Sequence, residues 1–367
     1  MHLSSIQVFL ALDFNSKMMK ILRTILLLAL MIGCQSTPQQ KQEVTYDPLI
    51  TSMYTADPSA HVFDGALYIY PSHDIDGGVP EDDLGSHFAM RDYHVLKMNA
   101  DETAQDMGKA LDLDDIPWAK KQLWAPDIAE KNGTYYFYFP AKDADEIFRI
   151  GVATGSTPEG PFTAEESPIA GAVSIDPAVF KDSDGSYYMY FGGIWGGQLQ
   201  RWESGSYVAE DRYPAADEVA IAPKVAKMSE DMLQFETAVQ DIQLLDAEGN
   251  PILAGDNERR FFEAAWVHQY NGKYYFSYST GDTHNIAYAI GDSPLGPFTY
   301  QGVILKPVLG WTNHHSIVEY EGAWYLYFHD SSLSKGVTHL RSIKRAKLEY
   351  LPDGRIQTID ALVEVAP

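Results

Sequence analysis

The chain has 367 residues, and 51 acidic against 27 basic side chains give it a formal net charge of −24 at neutral pH. A field of that sign repels phosphate backbones, acidic polysaccharides and anionic headgroups, so no nucleic acid or lipid surface is expected as the main ligand, and a neutral or cationic small molecule remains. The apolar content of 45% and aromatic content of 13% are those of a folded globular protein, and a single cysteine excludes intrachain disulfides and CxxC zinc sites.

In chain order, residues 1–33 read first as a signal peptide. Lys20 to Arg23 precede an uncharged apolar run from Ile25 to Ile32. That run falls short of the roughly 20 residues of a bilayer span but suits the hydrophobic region of an export signal. Met18 or Met19, followed by Lys20, makes a better start for it than Met1, because Asp13 would otherwise lie where positive charge belongs. Leu30-Met31-Ile32-Gly33-Cys34 resembles a bacterial lipobox, in which Cys34 is lipidated after cleavage. A free thiol left by cleavage elsewhere is the alternative. The Gln-, Ser- and Pro-rich stretch from Ser36 to Glu43 makes 34–45 a tether. The expected location is therefore the bacterial cell envelope, in the periplasm or at the outer membrane, with membrane attachment only through a lipid at Cys34.

From residue 46 to 367 the chain repeats itself. Asp64-Gly65, Asn132-Gly133, Asp184-Gly185, Asn271-Gly272 and Glu321-Gly322 each follow a short apolar segment and lead into an aromatic run such as Tyr135-Tyr136-Phe137-Tyr138. Acid/amide-Gly pairs suit tight hairpin turns, and aromatic runs suit half-buried strands. The turn glycines lie 68, 52, 87 and 50 residues apart, a period of blade size. Units of four short antiparallel strands that cannot bury both faces alone stack around an axis, so the expected fold is all-β, a five-bladed β-propeller. The polar stretch between Arg201 and Arg260 reads as an insertion within one blade. Ser156 to Phe162 and Asp292 to Phe298 echo one another and are expected to lead into outer strands.

In a propeller the first strand of each blade lines the central channel, so what precedes each turn converges near the axis. Asp57, Asp127, Asp176, Glu263 and His314 stand 8, 6, 9, 9 and 8 residues before their turn glycines. These offsets predict a ring of carboxylates at one end of the axis, among Tyr54, Phe88, Trp124, Phe261 and Trp266. Like charges crowded together cannot all ionise without cost, so at least one acid is expected to stay protonated near neutrality. One ionised and one protonated carboxyl, beside flat aromatics for sugar faces, is the equipment of a glycosidase.

Thr55-Ala56-Asp57-Pro58-Ser59, Trp124-Ala125-Pro126-Asp127, Ser174-Ile175-Asp176-Pro177 and Phe262-Glu263-Ala264 resemble the signature of glycoside hydrolase family 43, over roughly 46 to 367. The resemblance implies an inverting enzyme with Asp57 as general base, Glu263 as general acid and Asp176 orienting the acid and tuning its pKa. The family often has Glu-Gly-Pro where this chain has Glu263-Ala264-Ala265. Trp124 would stack on sugar, Asp127 would hold a substrate hydroxyl or cap a strand, and Arg341 would reach the substrate; Tyr54 and Phe88 complete the expected binding set. His314 would hold a water or contribute to a structural calcium site; no other cofactor is implied.

The resemblance further implies release of terminal xylose, arabinofuranose or both from xylan, arabinoxylan or arabinan, a neutral oligosaccharide substrate. Two competing readings are a glycan-binding propeller lipoprotein without turnover and a protein-binding propeller of the Trp-Asp type. The last lacks its Gly-His and Trp-Asp signatures and its shorter period.

Overall fold

The computed structural model describes residues 46–362. The expected signal peptide, the tether up to Thr45 and the lipidation site Cys34 lie outside the described residues. The described chain is a five-bladed β-propeller, as expected. Blade 1 is formed by β1 (Tyr54–Phe63), β2 (Ala66–Asp74), β3 (Asp92–Met98) and β4 (Ala104–Asp112), in that order. Blade 2 holds β5 (Asp127–Lys131), β6 (Thr134–Lys142), β7 (Phe148–Gly155) and β8 (Thr163–Ala164). Blade 3 holds β9 (Ala178–Lys181), β10 (Tyr187–Phe191), β11 (Lys224–Lys227) and β12 (Gln240–Asp241). In blade 4, β13 (Leu244–Leu245) lies parallel to β17 (Phe298–Leu305), outside β14 (Phe261–Tyr270), β15 (Lys273–Thr280) and β16 (Ile286–Gly291). Blade 5 is β18 (His315–Tyr320), β19 (Ala323–Asp330) and β20 (Ser342–Leu348).

The repeated Gly pairs do what their chemistry dictates. At Asp64-Gly65, Asn132-Gly133, Asn271-Gly272 and Glu321-Gly322 both residues have positive φ, between 49° and 79°, the backbone of the two-residue hairpin turn that matches strand twist. The third pair differs: Asp184 does not take positive φ, and a longer turn closes with Asp182 N–H accepted by Ser186 C=O.

Aromatic and aliphatic side chains of these strands fill the wedges between blades. Among the described residues the core divides into five clusters. One joins Tyr70 and Tyr93 of blade 1 to Phe137 and Phe139 of blade 2, and another joins Ala60 and Ile69 of blade 1 to Tyr327 and Ile343 of blade 5. The ring is closed by the segment ahead of β1: Leu49 N–H bonds Ile343 C=O at 2.9 Å, and Leu49 C=O accepts Ala104 N–H at 3.0 Å. Each wedge is therefore a packed apolar seam, and the first strands are held edge-on to a common axis. The polar stretch from 201 to 260 is not one insertion. β11 and β12 divide it into a long connection after β10 and a second connection leading to blade 4.

Candidate active site

Residues eight to ten positions before the turn glycines meet at one end of the axis. Asp57, Trp124, Ala125, Ile175, Asp176, Phe262, Glu263, Thr312 and His314 all line a single cavity of about 510 Å³, within the usual range of roughly 300 to 1,000 Å³ for small-molecule sites. The backbone aims the acids. Asp57 (φ 49°) and Asp176 (φ 57°) take left-handed conformations themselves, and Ala264 (φ 61°) does so next to Glu263. The register of β1 on β2 slips between Ala56 and Ser59, and that of β14 on β15 slips on both sides of Glu263. Such bulges turn a side chain away from the alternating pattern and recur beside functional sites.

Asp57 is the most constrained of the three. Arg341 grips it with both terminal nitrogens, Nη1 to Oδ1 at 2.9 Å and Nη2 to Oδ2 at 3.1 Å, and Ser72 Oγ donates to Oδ2 at 2.7 Å. The Asp57 backbone N–H donates to His329 Nδ1 at 3.0 Å. Burial alone would raise the Asp57 carboxyl, but the Arg341 guanidinium, with help from His329, His314 and Ser72, holds it down at about 2. It is ionised at every working pH, and Oδ1, bonded to one donor only, keeps an acceptor position free.

Asp176 and Glu263 titrate the other way. Burial, then the charge of Glu263 and of Asp57, keep Asp176 far above the ordinary carboxylate range. Burial and the Asp57 charge raise Glu263 to about 8 against the opposing pull of Arg341. Asp176 Oδ2 accepts the Ala264 N–H at 2.9 Å, which fixes the backbone carrying Glu263. Gly193 makes room for that acid, since a Cβ there would stand 2.6 Å from Ile175 Cδ1 and 3.2 Å from Glu263 Cβ.

His314 Nδ1 lies 3.8 Å from Asp57 Oδ1 and 3.7 Å from Asp176 Oδ2, and burial lowers its pKa to about 4, so the ring is neutral. These donors do not suit a protein-ligated calcium ion, which takes roughly six to eight oxygens. The site offers one imidazole, an Asp57 carboxylate already gripped by Arg341 and Ser72, and a protonated Asp176. Only an ion held through water fits there. Its neighbour His315 points away, bonding Ser277 Oγ at 2.6 Å between blades 5 and 4.

Most of the walls come from loops, with Phe262 supplied by β14. Phe88 and Trp124 stand edge to face at 6.1 Å, with Trp124 Nε1 bonded to Phe88 C=O at 2.9 Å. Trp195, Trp311 and Phe262 form a second aromatic group in the lining, Trp311 lying 5.5 Å from Trp195 and 5.9 Å from Phe262 between centroids. Trp311 leaves 42% of its surface open, an exposure that no packing role requires.

Five side chains expected around the substrate take other tasks. Arg341 lines the cavity, and all five of its N–H groups are used there on Asp57, Asp74 and Thr312, so its task in this structure is to anchor Asp57. Asp127 does not line the cavity. It stands six residues before its turn glycine, level with Ser59 and Val179, and its carboxylate accepts from Ser59 Oγ and Val179 N–H and meets His61 Nε2 at 2.7 Å. It ties three blades together beneath the cavity. Trp266, at the same level, donates to Ile317 C=O at 3.1 Å. Tyr54 sits at the outer start of β1 opposite Asp74, outside the cavity lining, and Phe261 packs into the core on Tyr278, its neighbour Phe262 facing the cavity in its place.

Sequence comparison places this geometry among known proteins. The profile of "Glycosyl hydrolases family 43" matches residues 46–356. A xylosidase/arabinosidase of Bacteroides ovatus is 56% identical over 314 residues, covering 85% of this chain and 97% of that protein. A xylosidase/arabinosidase of Humicola insolens is 57% identical over 321 residues, covering 85% and 98%. Among solved structures, a β-xylosidase/α-arabinofuranosidase from a compost metagenome, in complex with xylotriose and calcium-free, superposes with a TM-score of 0.85 at 63% identity, covering 88% of this chain and 99% of that one. With a propeller, three converging acids and relatives matched over nearly their whole length, the chain belongs to glycoside hydrolase family 43 and is an O-glycosyl hydrolase.

Proposed function

We propose that the enzyme releases terminal xylose, terminal arabinofuranose or both from xylan, arabinoxylan or arabinan oligosaccharides, by single displacement with inversion. The observation that carries the proposal is the split between Asp57, held ionised at about 2, and Glu263, held protonated to about 8, across one aromatic-walled cavity. Glu263 protonates the departing glycosidic oxygen while Asp57 Oδ1 takes a proton from the water that attacks the anomeric carbon. Asp176 positions Glu263 through the Ala264 N–H, and neutral His314 lies where it can hold that water beside Asp57. The aromatic walls at Phe88, Trp124, Trp195, Trp311 and Phe262 present flat apolar faces to the sugar rings. The chemistry needs no cofactor. A non-catalytic propeller gains nothing from three buried acids, and the similar proteins named above are enzymes.

The floor supports exo action. Beneath Asp57 and Asp176 the Ser59, Asp127 and Val179 bonds join three inner strands, so a polysaccharide chain has no through passage. On nitrophenyl β-xyloside and α-L-arabinofuranoside, with xylo-oligosaccharides, arabinan and arabinoxylan beside them, we expect each early turnover to release one monosaccharide and leave a substrate shorter by that single sugar. Products of mid-chain cleavage, such as xylobiose without xylose from xylotetraose, would overturn exo action, and binding without any reducing sugar would overturn turnover itself.

We propose further that the protein is exported and held in the bacterial cell envelope by a lipid on Cys34. The Lys20 to Arg23 charges, the apolar run that follows and the Gly33-Cys34 junction support this.

A further inference from the structure

Blade 1 carries a second set of ligating side chains, outside the catalytic cavity. His73 lies near the end of β2, and Asp92 and His94, two residues apart on β3, share one face of the sheet. Tyr93 between them turns into the core and pairs with Ser72, which brings His73 alongside Asp92. His73 Nδ1 is 2.6 Å from Asp92 Oδ1, His94 Nε2 is 3.8 Å from Asp92 Oδ2, and the two imidazole centroids are 4.8 Å apart. Among the described residues this is the one group of three His, Cys, Asp or Glu whose ligand atoms all lie within 4.8 Å of one another.

A fourth residue fixes the chemistry of the set. Asp106 on β4 accepts from His94 Nδ1 at 2.9 Å. A carboxylate at Nδ1 keeps the proton on that nitrogen and leaves Nε2 with its lone pair on the Asp92 side. Metal-binding histidines are oriented in this way by their outer partners. Lys109, the nearby cation on β4, is paired with Asp112 at 2.5 Å.

We propose that His73 Nδ1, Asp92 and His94 Nε2, with His94 oriented by Asp106, bind a divalent cation of the zinc class. Two imidazole nitrogens and one carboxylate suit zinc or cobalt; calcium and magnesium prefer oxygen alone. Three protein ligands leave a fourth, tetrahedral position for water. Ligand atoms about 2 Å from such an ion stand roughly 3 to 3.5 Å apart, so the 2.6 Å and 3.8 Å separations, and the two nitrogens within 4.8 Å of one another, are brought to that spacing by side-chain rotation, with the proton that His73 Nδ1 shares with Asp92 moving to Nε2.

The site has a mechanical consequence. β2 ends at Asp74 and β3 begins at Asp92, so the ion would clamp both stems of the loop between them. That loop supplies Gly85, His87 and Phe88 to the cavity wall, and Asp74, next to His73, carries Arg341. A bound ion should therefore stiffen the mouth of the site without entering the chemistry.

The test uses the full chain stripped with chelator, then titrated with Co²⁺ followed by its visible absorption and with Zn²⁺ followed by calorimetry. We expect tetrahedral cobalt bands, one zinc equivalent and a raised melting temperature. His94→Gln and Asp92→Asn should lose that equivalent and the thermal shift while still hydrolysing nitrophenyl xyloside, which shows that they fold. Asp106→Asn should keep the site with affinity lowered about 10- to 100-fold. Absence of binding, or zinc affinity and thermal shift equal in wild type and all three variants, would overturn the proposal; the second result would place the ion elsewhere.

Discussion

Glu263→Gln should reduce kcat on xylo-oligosaccharides by about 100- to 10,000-fold with the propeller intact, the usual worth of a positioned general acid. Gln has the shape of the protonated acid and fits the same space beside Gly193, but it has no proton to give. In the wild type kcat/KM should fall as pH rises through about 8, where Glu263 loses its proton. The acid side should stay flat far lower, because Asp57 remains ionised down to about 2. Asp176 shares the upper titration, so the limb belongs to the Asp176 and Glu263 pair. Stability runs opposite to that of an ordinary carboxylate. A group whose folded pKa is raised favours the fold below its unfolded value of 4.5 and loses that contribution as pH climbs towards 8. Glu263→Gln needs no proton, so it should melt no lower than wild type above neutrality. A pH–rate profile and a melting series on both proteins check this; an unchanged alkaline limb in the variant would remove Glu263 from the acid role.

Arg341→Met should be the most destabilising single change in the site, at about 3 to 5 kcal/mol, because it strands two buried carboxylates. Arg341, Asp57 and Asp74 are 3%, 5% and 2% exposed, so water cannot take the place of the guanidinium. Asp57 should respond directly. Its folded pKa of about 2, below the ordinary 3.8, contributes stability above pH 3.8 that disappears as pH falls towards 2. Without Arg341, burial raises that carboxyl, and the acid limb of kcat/KM should move up to a measurable pH. Arg341→Lys restores charge but not the five-donor fork, so it should recover only part of the stability. Denaturant unfolding and pH–rate profiles measure both; a stable Arg341→Met with an unshifted acid limb would contradict the clamp.

Much of this arrangement is legible in the sequence, for identifiable reasons. Asp/Asn/Glu-Gly pairs mark hairpins because few residues take positive φ, and their spacing sets the blades. Counting back from the turn glycine also ranks height along the channel. Asp57, Asp176, Glu263 and His314, eight or nine residues back, line the cavity, whereas Asp127 at six lies lower with Ser59. At roughly 3.3 Å per residue, two or three positions carry a side chain about 7 to 10 Å deeper, which is why Asp127 resembles the other acids in sequence and not in place. Direction is less legible than height. The slips on both sides of Glu263 reverse the alternation, so Phe262 rather than Phe261 faces the cavity. Asp74, His329 and Trp195 lie outside the inner strands, although a His-Asp pair, His73-Asp74 and His329-Asp330, closes the second strand of blades 1 and 5 alike. That echo, and the glycines around Trp195, which hold a large aromatic in a tight turn, are the signals the sequence offers for them.

The central claim is that a water activated at Asp57 and a proton from Glu263 act on opposite faces of one sugar. Proton NMR of the first sugar released from a β-xyloside, recorded before mutarotation, tests it most directly. The account predicts α-xylose first, with the β-anomer growing in later. β-Xylose as the initial product would require a covalent intermediate and would contradict it.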